Sequence, residues 1–401
     1  ENDRVGEKTM VIRQLKQEEK FMAGRISGIC FHERIDDLAK KRQEWEEAKE
    51  EDWGAFDEKG TLMARIINNR YTSYVDGQEI QNGGIGAVST LPEYRNTGAV
   101  RNIFEKLLPY AYENGEVIST LYPFSHQFYR KFGYETVCYR NQYRFKPEVL
   151  KGYHFDGEAV MWEEGEDISD YFSLYRQFAP KYNLAVKREE ALMKREHMKG
   201  NIYKERKFSY LLREKGQNVA YLLIEDVYQK EAAFMWVEEA VWNSPEGFRA
   251  ILGFLARFSA DYGEIELTLP YDLELYSVIR SAKAYEIQKT TRQDYMVRVI
   301  NVKRMLEILS KPEGTDCRIR VCDPQIEQNN RIWHVTENAV EVAADGTETD
   351  MEVSIQAFSQ LAVGAISLDE ALMREDIVIS AKKEKLRSLF RRKSIFINEH
   401  F

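Results

Sequence analysis

The residues with the clearest chemistry in this chain stand between positions 84 and 108, GIGAVSTLPEYRNTGAVRNIFEKLL. Ile85–Thr90 is apolar without strict alternation, the pattern of a buried central strand. Pro92 has no N–H to give to a ladder and ends it. Arg95, Asn96, Thr97, Gly98 and Ala99 then open a helix whose apolar positions Val100, Ile103, Phe104, Leu107 and Leu108 keep a helical period. Small residues at such a turn let backbone N–H groups come close to an anion. The helix N-terminus adds about half a positive charge, and Arg95 and Arg101 supply whole ones. That combination suits a pyrophosphate. An ordinary strand–turn–helix, using its glycine only for tight geometry, is the alternative.

A second segment, Phe128-Tyr129-Arg130-Lys131-Phe132-Gly133-Tyr134, follows a strand at Glu116–Tyr122. Ser125 is placed to cap a short helix at about His126–Phe132, with Gly133 near its C-terminus, a role that needs no ligand. His126 beside it, and His32 with Glu33 after the first helix, are open between pocket lining and solvated helix ends. No two of the six histidines stand at i, i+3 or i+4 on a helix, so no metal site is expected.

Three blocks must position these residues. The first, residues 1–150, reads as helices at Glu18–Phe31 and Ile35–Lys49, segments at Thr61–Asn68 and Arg70–Val75, and an Asp76-Gly77 turn. A strand at Asn82–Thr90, the helix Thr97–Asn114, the strand Glu116–Tyr122, the short helix and strands at Glu135–Phe145 complete it. The second, 151–298, repeats that order without the glycines. Its helices fall at Ile168–Tyr182, Arg188–Lys199, Pro245–Ala260 and Leu273–Ser281, its strands at Phe208–Arg213, Asn218–Glu225, Ala232–Glu239, Glu264–Leu269 and Asp294–Val299. The third, 299–401, has helices at Val302–Ser310, Ile355–Val363, Ser367–Met373 and Ala381–Phe390, and strands at Cys317–Asp323, Arg331–Thr336 and Ala339–Ala343. Its end, SIFINEHF, is too apolar for a frayed tail. The fold class is thus α/β and α+β, with the active site where the central strands end.

Composition narrows the classes. The length of 401 residues suggests two or three domains, and 43 % hydrophobic with 12 % aromatic residues is ample for packed cores. Apolar runs such as Ala250–Phe258, broken by Arg257, fall short of the ~20 residues that span a bilayer, and Glu1–Lys16 is too charged for a signal peptide. Four scattered cysteines read as reduced thiols of a cytoplasmic protein; Cys317 and Cys322, five apart in a strand, point to opposite faces. A net charge of −9 argues against nucleic acid as partner and is compatible with a cationic substrate.

The run Arg95-x-x-Gly98-x-Val100 after a strand and a proline, followed by the Phe128–Tyr134 segment, resembles the coenzyme A motif of the GNAT superfamily of N-acetyltransferases. Val100 departs from the Gly or Ala usual there. The resemblance implies that Val88, Ser89 and Thr90 offer backbone groups to the pantetheine, and that Arg95 to Arg101 hold the pyrophosphate. It also places Phe124 and Ser125 beside the coenzyme arm, the N–H near Val88 at the oxyanion and Tyr129 as general acid. Core packing among Phe128, Phe132 and Tyr134 is the alternative for Tyr129. The whole chain is similar to the enhanced-intracellular-survival (Eis) group: an acetyltransferase domain, a degenerate copy and a sterol-carrier-protein-like domain. In the copy the matching turn is Trp242-Asn243-Ser244-Pro245-Glu246-Gly247, so no coenzyme is expected there. The group further implies acetyl-CoA as co-substrate, an aminoglycoside, polyamine or lysine-like amine as acceptor, a homohexamer, and the carboxylate of Phe401 as base. The apolar stretches Phe234–Trp242 and Ile251–Phe258 exceed what one small domain needs, which also points to assembly, though a buried core explains them almost as well. A tandem-fold acyl or aminoacyl transferase and a non-enzymatic lipid carrier are the rival readings.

Overall fold

The computed structural model of the chain describes residues 10–47, 50–198, 200, 202–203, 205–229, 232–279, 283–344 and 346–399. A first unit runs β1 (Val11–Gln14), α1 (Lys20–Cys30), α2 (Leu38–Glu47), β2 (Glu51–Phe56), β3 (Leu62–Val75), β4 (Gln78–Thr90), α3 (Ala99–Glu113), β5 (Ile118–Leu121), α4 (His126–Arg130) and β6 (Glu135–Phe145). The second has the same order: β7 (Glu158–Met161), α5 (Ser169–Phe178), α6 (Glu190–Glu196), β8 (Lys207–Glu214), β9 (Gln217–Gln229), β10 (Ala232–Trp242), α7 (Pro245–Ala256), β11 (Glu264–Pro270), α8 (Leu275–Val278) and β12 (Ile287–Val299). The third holds α9 (Val302–Ile308), β13 (Asp316–Cys322), β14 (Ile332–Thr336), β15 (Val340–Val342) and β16 (Met351–Ser354). It continues through α10 (Ile355–Val363), α11 (Leu368–Ala371), β17 (Ile377–Ile379) and α12 (Lys383–Leu389).

The first two units share one twelve-stranded sheet, ordered β1-β2-β3-β4-β5-β12-β6-β11-β10-β9-β8-β7. Their last strands have changed places. β12 lies antiparallel against β5, β6 antiparallel against β11, and the two pair with each other. Each unit alone would end in an open edge, and the exchange covers both. The boundary expected near residue 150 therefore divides the units along the chain but not within the sheet.

α3 buries Ile103, Phe104, Leu107, Leu108 and Ala111 against β2, β3 and β4. The third unit is a five-stranded sheet, β15-β14-β13-β16-β17, joined to the large one through α10. That helix packs on β6 and β12 on one side and on β13 and β16 on the other, and buries every residue but Gln356. Its apolar faces are taken up by the two sheets, which leaves none of them for a carried lipid. No helix among the described residues is long and apolar enough to cross a membrane.

Most expected elements are present, with trimmed ends. The segments Thr61–Asn68 and Arg70–Val75 are one strand, β3, because Asn69 between them stays in the ladder, opposite Gly84 of β4. The strands β1, β2, β7, β16 and β17 were not foreseen; the last two have four and three residues, too few to show alternation. Cys317 is buried and Cys322 exposed, on opposite faces, and none of the four cysteines is bridged. In the stretches read as surplus, Met235, Val237, Ala240, Val241, Ile251, Leu252, Phe254 and Leu255 are buried within the second unit. A core accounts for them, so the expectation of assembly rests on the resemblance alone.

Candidate active site

β4 and β5 run parallel through the partners Asn82 with Ile118 to Ile85 with Leu121, where β5 stops and β4 continues to Thr90. On its other side β4 passes from Gly86 opposite Ile67 to Ser89 opposite Arg65, so Ala87 and Val88 face Ile66 alone. This bulge puts Ala87 at φ 50°, a left-handed conformation for a residue with a side chain, and re-aims the backbone of Val88. From Gly86 to Thr90 the backbone has no strand partner on the β5 side. Ser89 turns its hydroxyl back to the carbonyl of Ala87 at 2.9 Å, and the Cys30 thiol, at the end of α1, donates to the carbonyl of Thr90 at 3.3 Å.

A single 3-10 turn, Pro92–Tyr94, then leads to Asn96 at φ 64° and Gly98 at φ 84°. Thr97 does not cap the helix; its hydroxyl donates to the carbonyl of Tyr94 at 2.7 Å. Gly98 is the N-cap, with no side-chain bond to the first N–H groups of α3, which stay available to an anion. Arg95 and Arg101 are exposed beside it. α7, the counterpart in the second unit, is closed: Ser244 accepts from the N–H of Gly247, Pro245 lacks an N–H, and Glu246 stands in the first turn. The first N–H groups of the helix are therefore open in one unit and taken up in the other.

Ser125 is the N-cap of α4, accepting from the N–H of Phe128 at 3.3 Å. Tyr129 is buried, its ring edge-on to Phe104, Phe124, Phe128 and Tyr134. Burial pushes its phenol above the ordinary range, so it stays protonated. Phe124 is exposed where β5 has ended. Packing thus explains where the Tyr129 ring sits, and the same packing holds its hydroxyl as a donor. His126 Nε2 is buried without a partner among the described residues, while His32 and Glu33 are exposed, as solvated helix ends are.

Beneath α3 lies a carboxyl that sequence reading passed over. Glu116 is buried, and burial pushes its pKa up to about 7 against the opposing bond from Asn68. Asn68 Nδ2 donates to Glu116 Oε1 at 2.7 Å, while Glu116 Oε2 and Asn68 Oδ1 have no partner. Both oxygens crowd the point where a Cβ on Gly83 would stand, at 2.2 and 2.6 Å, which is why glycine is needed there. Glu51 disfavours the charge of Glu116 and Arg70 favours it. The folded chain holds the Glu116 proton where the unfolded one releases it, so stability falls as pH rises from about 4.5 to about 7, then levels. Glu116→Gln keeps an acceptor for Asn68 Nδ2 without a charge. At pH 8 it is expected to raise stability by about 3 kcal/mol at most, and to flatten that stretch of the pH profile. Urea unfolding at pH 5 and pH 8 measures this; an unchanged slope contradicts it.

The tail crosses both units. Ile395 pairs with Asn183, and Phe396 packs on Phe178 and Tyr182. Asn398 bonds Arg140 and Glu239 at 2.8 and 2.9 Å. Glu399 takes Arg188 Nε at 2.7 Å and His197 at 3.0 Å, and its carbonyl accepts from Tyr295 at 2.7 Å. Arg188 is fully buried and also forks onto Glu239 at 2.8 and 2.7 Å, which outweighs burial and holds that carboxyl well below its usual range. The Tyr295 ring touches Tyr122, the residue after β5. A cavity of about 740 Å³ opens here, bordered by Asn69, Tyr71, His197, Glu238, Asn398 and Glu399. Phe401 lies outside the described residues. Sequence reasoning missed Tyr71, Arg188, His197 and Tyr295, since nothing local marks residues that meet only across the shared sheet.

Residues 11–137 match the family described as acetyltransferase (GNAT) domain, and residues 302–397 the family described as sterol carrier protein domain. A probable N-acyltransferase from Enterococcus faecalis V583 superposes with a TM-score of 0.85 at 18 % identity, covering 98 % of this chain and all, 100 %, of that one. A GCN5-related N-acetyltransferase from Anabaena variabilis gives 0.84 at 18 %, and Eis1 from Mycobacterium abscessus 0.80 at 17 %, each with the same 98 % and 100 % coverage. At such identities these likenesses bear on the fold. No curated protein matches the sequence.

Proposed function

We propose that this chain, built on a GNAT acetyltransferase domain joined to a sterol carrier protein domain, moves the acetyl group of acetyl-CoA onto a primary amine. The acceptor would be of the aminoglycoside, polyamine or lysine-like class. The observation that carries the reading is the open seat at α3: an uncapped helix start beside a strand end free of its neighbour, with Arg95 and Arg101 exposed next to it. Backbone of Val88, Ser89 and Thr90 would hold the pantetheine, and residues 95–101, with Phe124 and Ser125 flanking, the rest of the coenzyme. The amine nitrogen attacks the thioester carbon, and the oxyanion forms beside the N–H of Val88. The C–S bond then breaks, and the thiolate takes its proton from Tyr129.

We assign the amine's proton to the carboxylate of Phe401: Asn398 and Glu399 are clamped at the border of the cavity, and Glu399 bonds Tyr295, whose ring touches Tyr122 at the end of β5. A carboxylate of ordinary pKa, about 3.5, is charged at neutral pH and would also attract an ammonium group. Extending the chain by a few residues beyond Phe401 is expected to cut turnover at least roughly tenfold, with acetyl-CoA affinity unchanged. Full turnover of the extended chain removes the assignment.

The function is tested by following free thiol released from acetyl-CoA against a panel of polyamines, aminoglycosides and basic peptides. Longer acyl-CoA donors run beside it separate the acyl-transferase reading. No thiol release from any donor, in a chain that binds acetyl-CoA, refutes both.

A further inference from the structure

α4 is one turn of five residues, too short to stand on its own hydrogen bonds. Ser125 caps its start. Its final carbonyls take donors from the third unit, that of Arg130 in addition to the N–H of Gly133 at 3.1 Å. Gln356, in the first turn of α10, donates from Nε2 to the carbonyl of Arg130 at 3.0 Å. Gln325, in the loop after β13, donates from Nε2 to the carbonyl of Lys131 at 3.0 Å.

Neither glutamine is loosely held. Gln356 belongs to a helix wedged between two sheets and capped by Ser354. The N–H of Gln325 donates to Asp323 Oδ1 at 3.0 Å, and Asp323 receives two 2.8 Å bonds from Arg298 Nη2 in a pair whose side chains have 0 % exposure. Arg298 also lies against Gly133, where a Cβ would stand 1.8 Å from Nη1. Two elements of the third unit and one strand of the second thus converge on residues 130–133, directly after Tyr129.

We propose that Gln325 and Gln356 are positioning residues, through which the third unit fixes the α4 turn and so the Tyr129 hydroxyl relative to the thioester sulfur. The inference rests on Tyr129 as the proton donor. A carbonyl that loses its glutamine partner can turn to water, so the fold survives. Proton transfer is less tolerant: the donor must keep hydrogen-bond reach, and a shift of 1 Å can cost about a hundredfold.

The test compares Gln325→Ala/Gln356→Ala in the parent chain and in a Tyr129→Phe background. In the parent, kcat is expected to fall about tenfold or more, with the acetyl-CoA Kd and the thermal midpoint near those of the parent. In the Tyr129→Phe background the same pair should change kcat by less than about twofold, because the group it positions is gone. Parent-like kcat in the double variant, with Tyr129→Phe impaired, overturns the positioning role and leaves the acid in place. Equal losses in both backgrounds also overturn it, since the effect then does not pass through Tyr129. Full turnover of Tyr129→Phe by itself removes the acid reading, and this inference with it.

Discussion

Tyr129→Phe is expected to lower kcat by about a hundredfold, the usual scale for loss of a general acid, while acetyl-CoA binds as before. The substitution removes one oxygen from a ring seated among Phe104, Phe124, Phe128 and Tyr134, so packing and α4 are kept. The phenol's raised pKa gives the effect its pH signature: the proton is retained through the whole range in which an amine becomes nucleophilic. The parent profile should therefore show no loss of rate on the alkaline side from this group below pH 10. Stopped assays with saturating acceptor, across pH 6 to 10, measure both. A variant with parent-like kcat would falsify the assignment of Tyr129.

The second large effect is on the coenzyme. Arg95→Ala is expected to weaken acetyl-CoA binding by roughly 1–3 kcal/mol, the range of one charge-assisted contact. Gly98→Val acts differently. A Cβ at Gly98 meets no atom within 4 Å, so protein crowding is not the obstacle. The cost is the φ of 84°, about 1–2 kcal/mol for a residue with a side chain, and a methyl-bearing group placed where the anion would lie. Calorimetry on both folded variants gives the answer. Unchanged affinity in both places the pyrophosphate elsewhere.

How much of this was legible beforehand differs from residue to residue. Strand end, turn and helix at 84–108 could be read because each signal is local: an apolar run, a proline that cannot pair, a glycine followed by helical spacing. The bulge at Ala87 could not, since nothing in Ala-Val-Ser announces a positive φ; it arises from the pairing of β4 with β3. Asn69 looked like a break between two segments, and it stays in one strand because β4 pairs with it at Gly84. Beside it Asn68 is buried, and its partner Glu116 stands forty-eight positions on.

Local signals in the chain were enough for most of the order of elements, for its repeat, and for the contrast between Arg95-Asn96-Thr97-Gly98 and Asn243-Ser244-Pro245-Glu246 at the two helix starts. These follow from periodicity, turn chemistry and charge, which act over a few residues. Contacts between distant parts of the chain settle the rest: β6 and β12 change places, α10 is shared by two sheets, and Asn398 and Glu399 are clamped by Arg140, Arg188, His197 and Tyr295. An alternating strand pairs equally well with either unit's edge; the exchange is the arrangement that joins the two inner edges, leaving only β1 and β7 at the margins of the sheet.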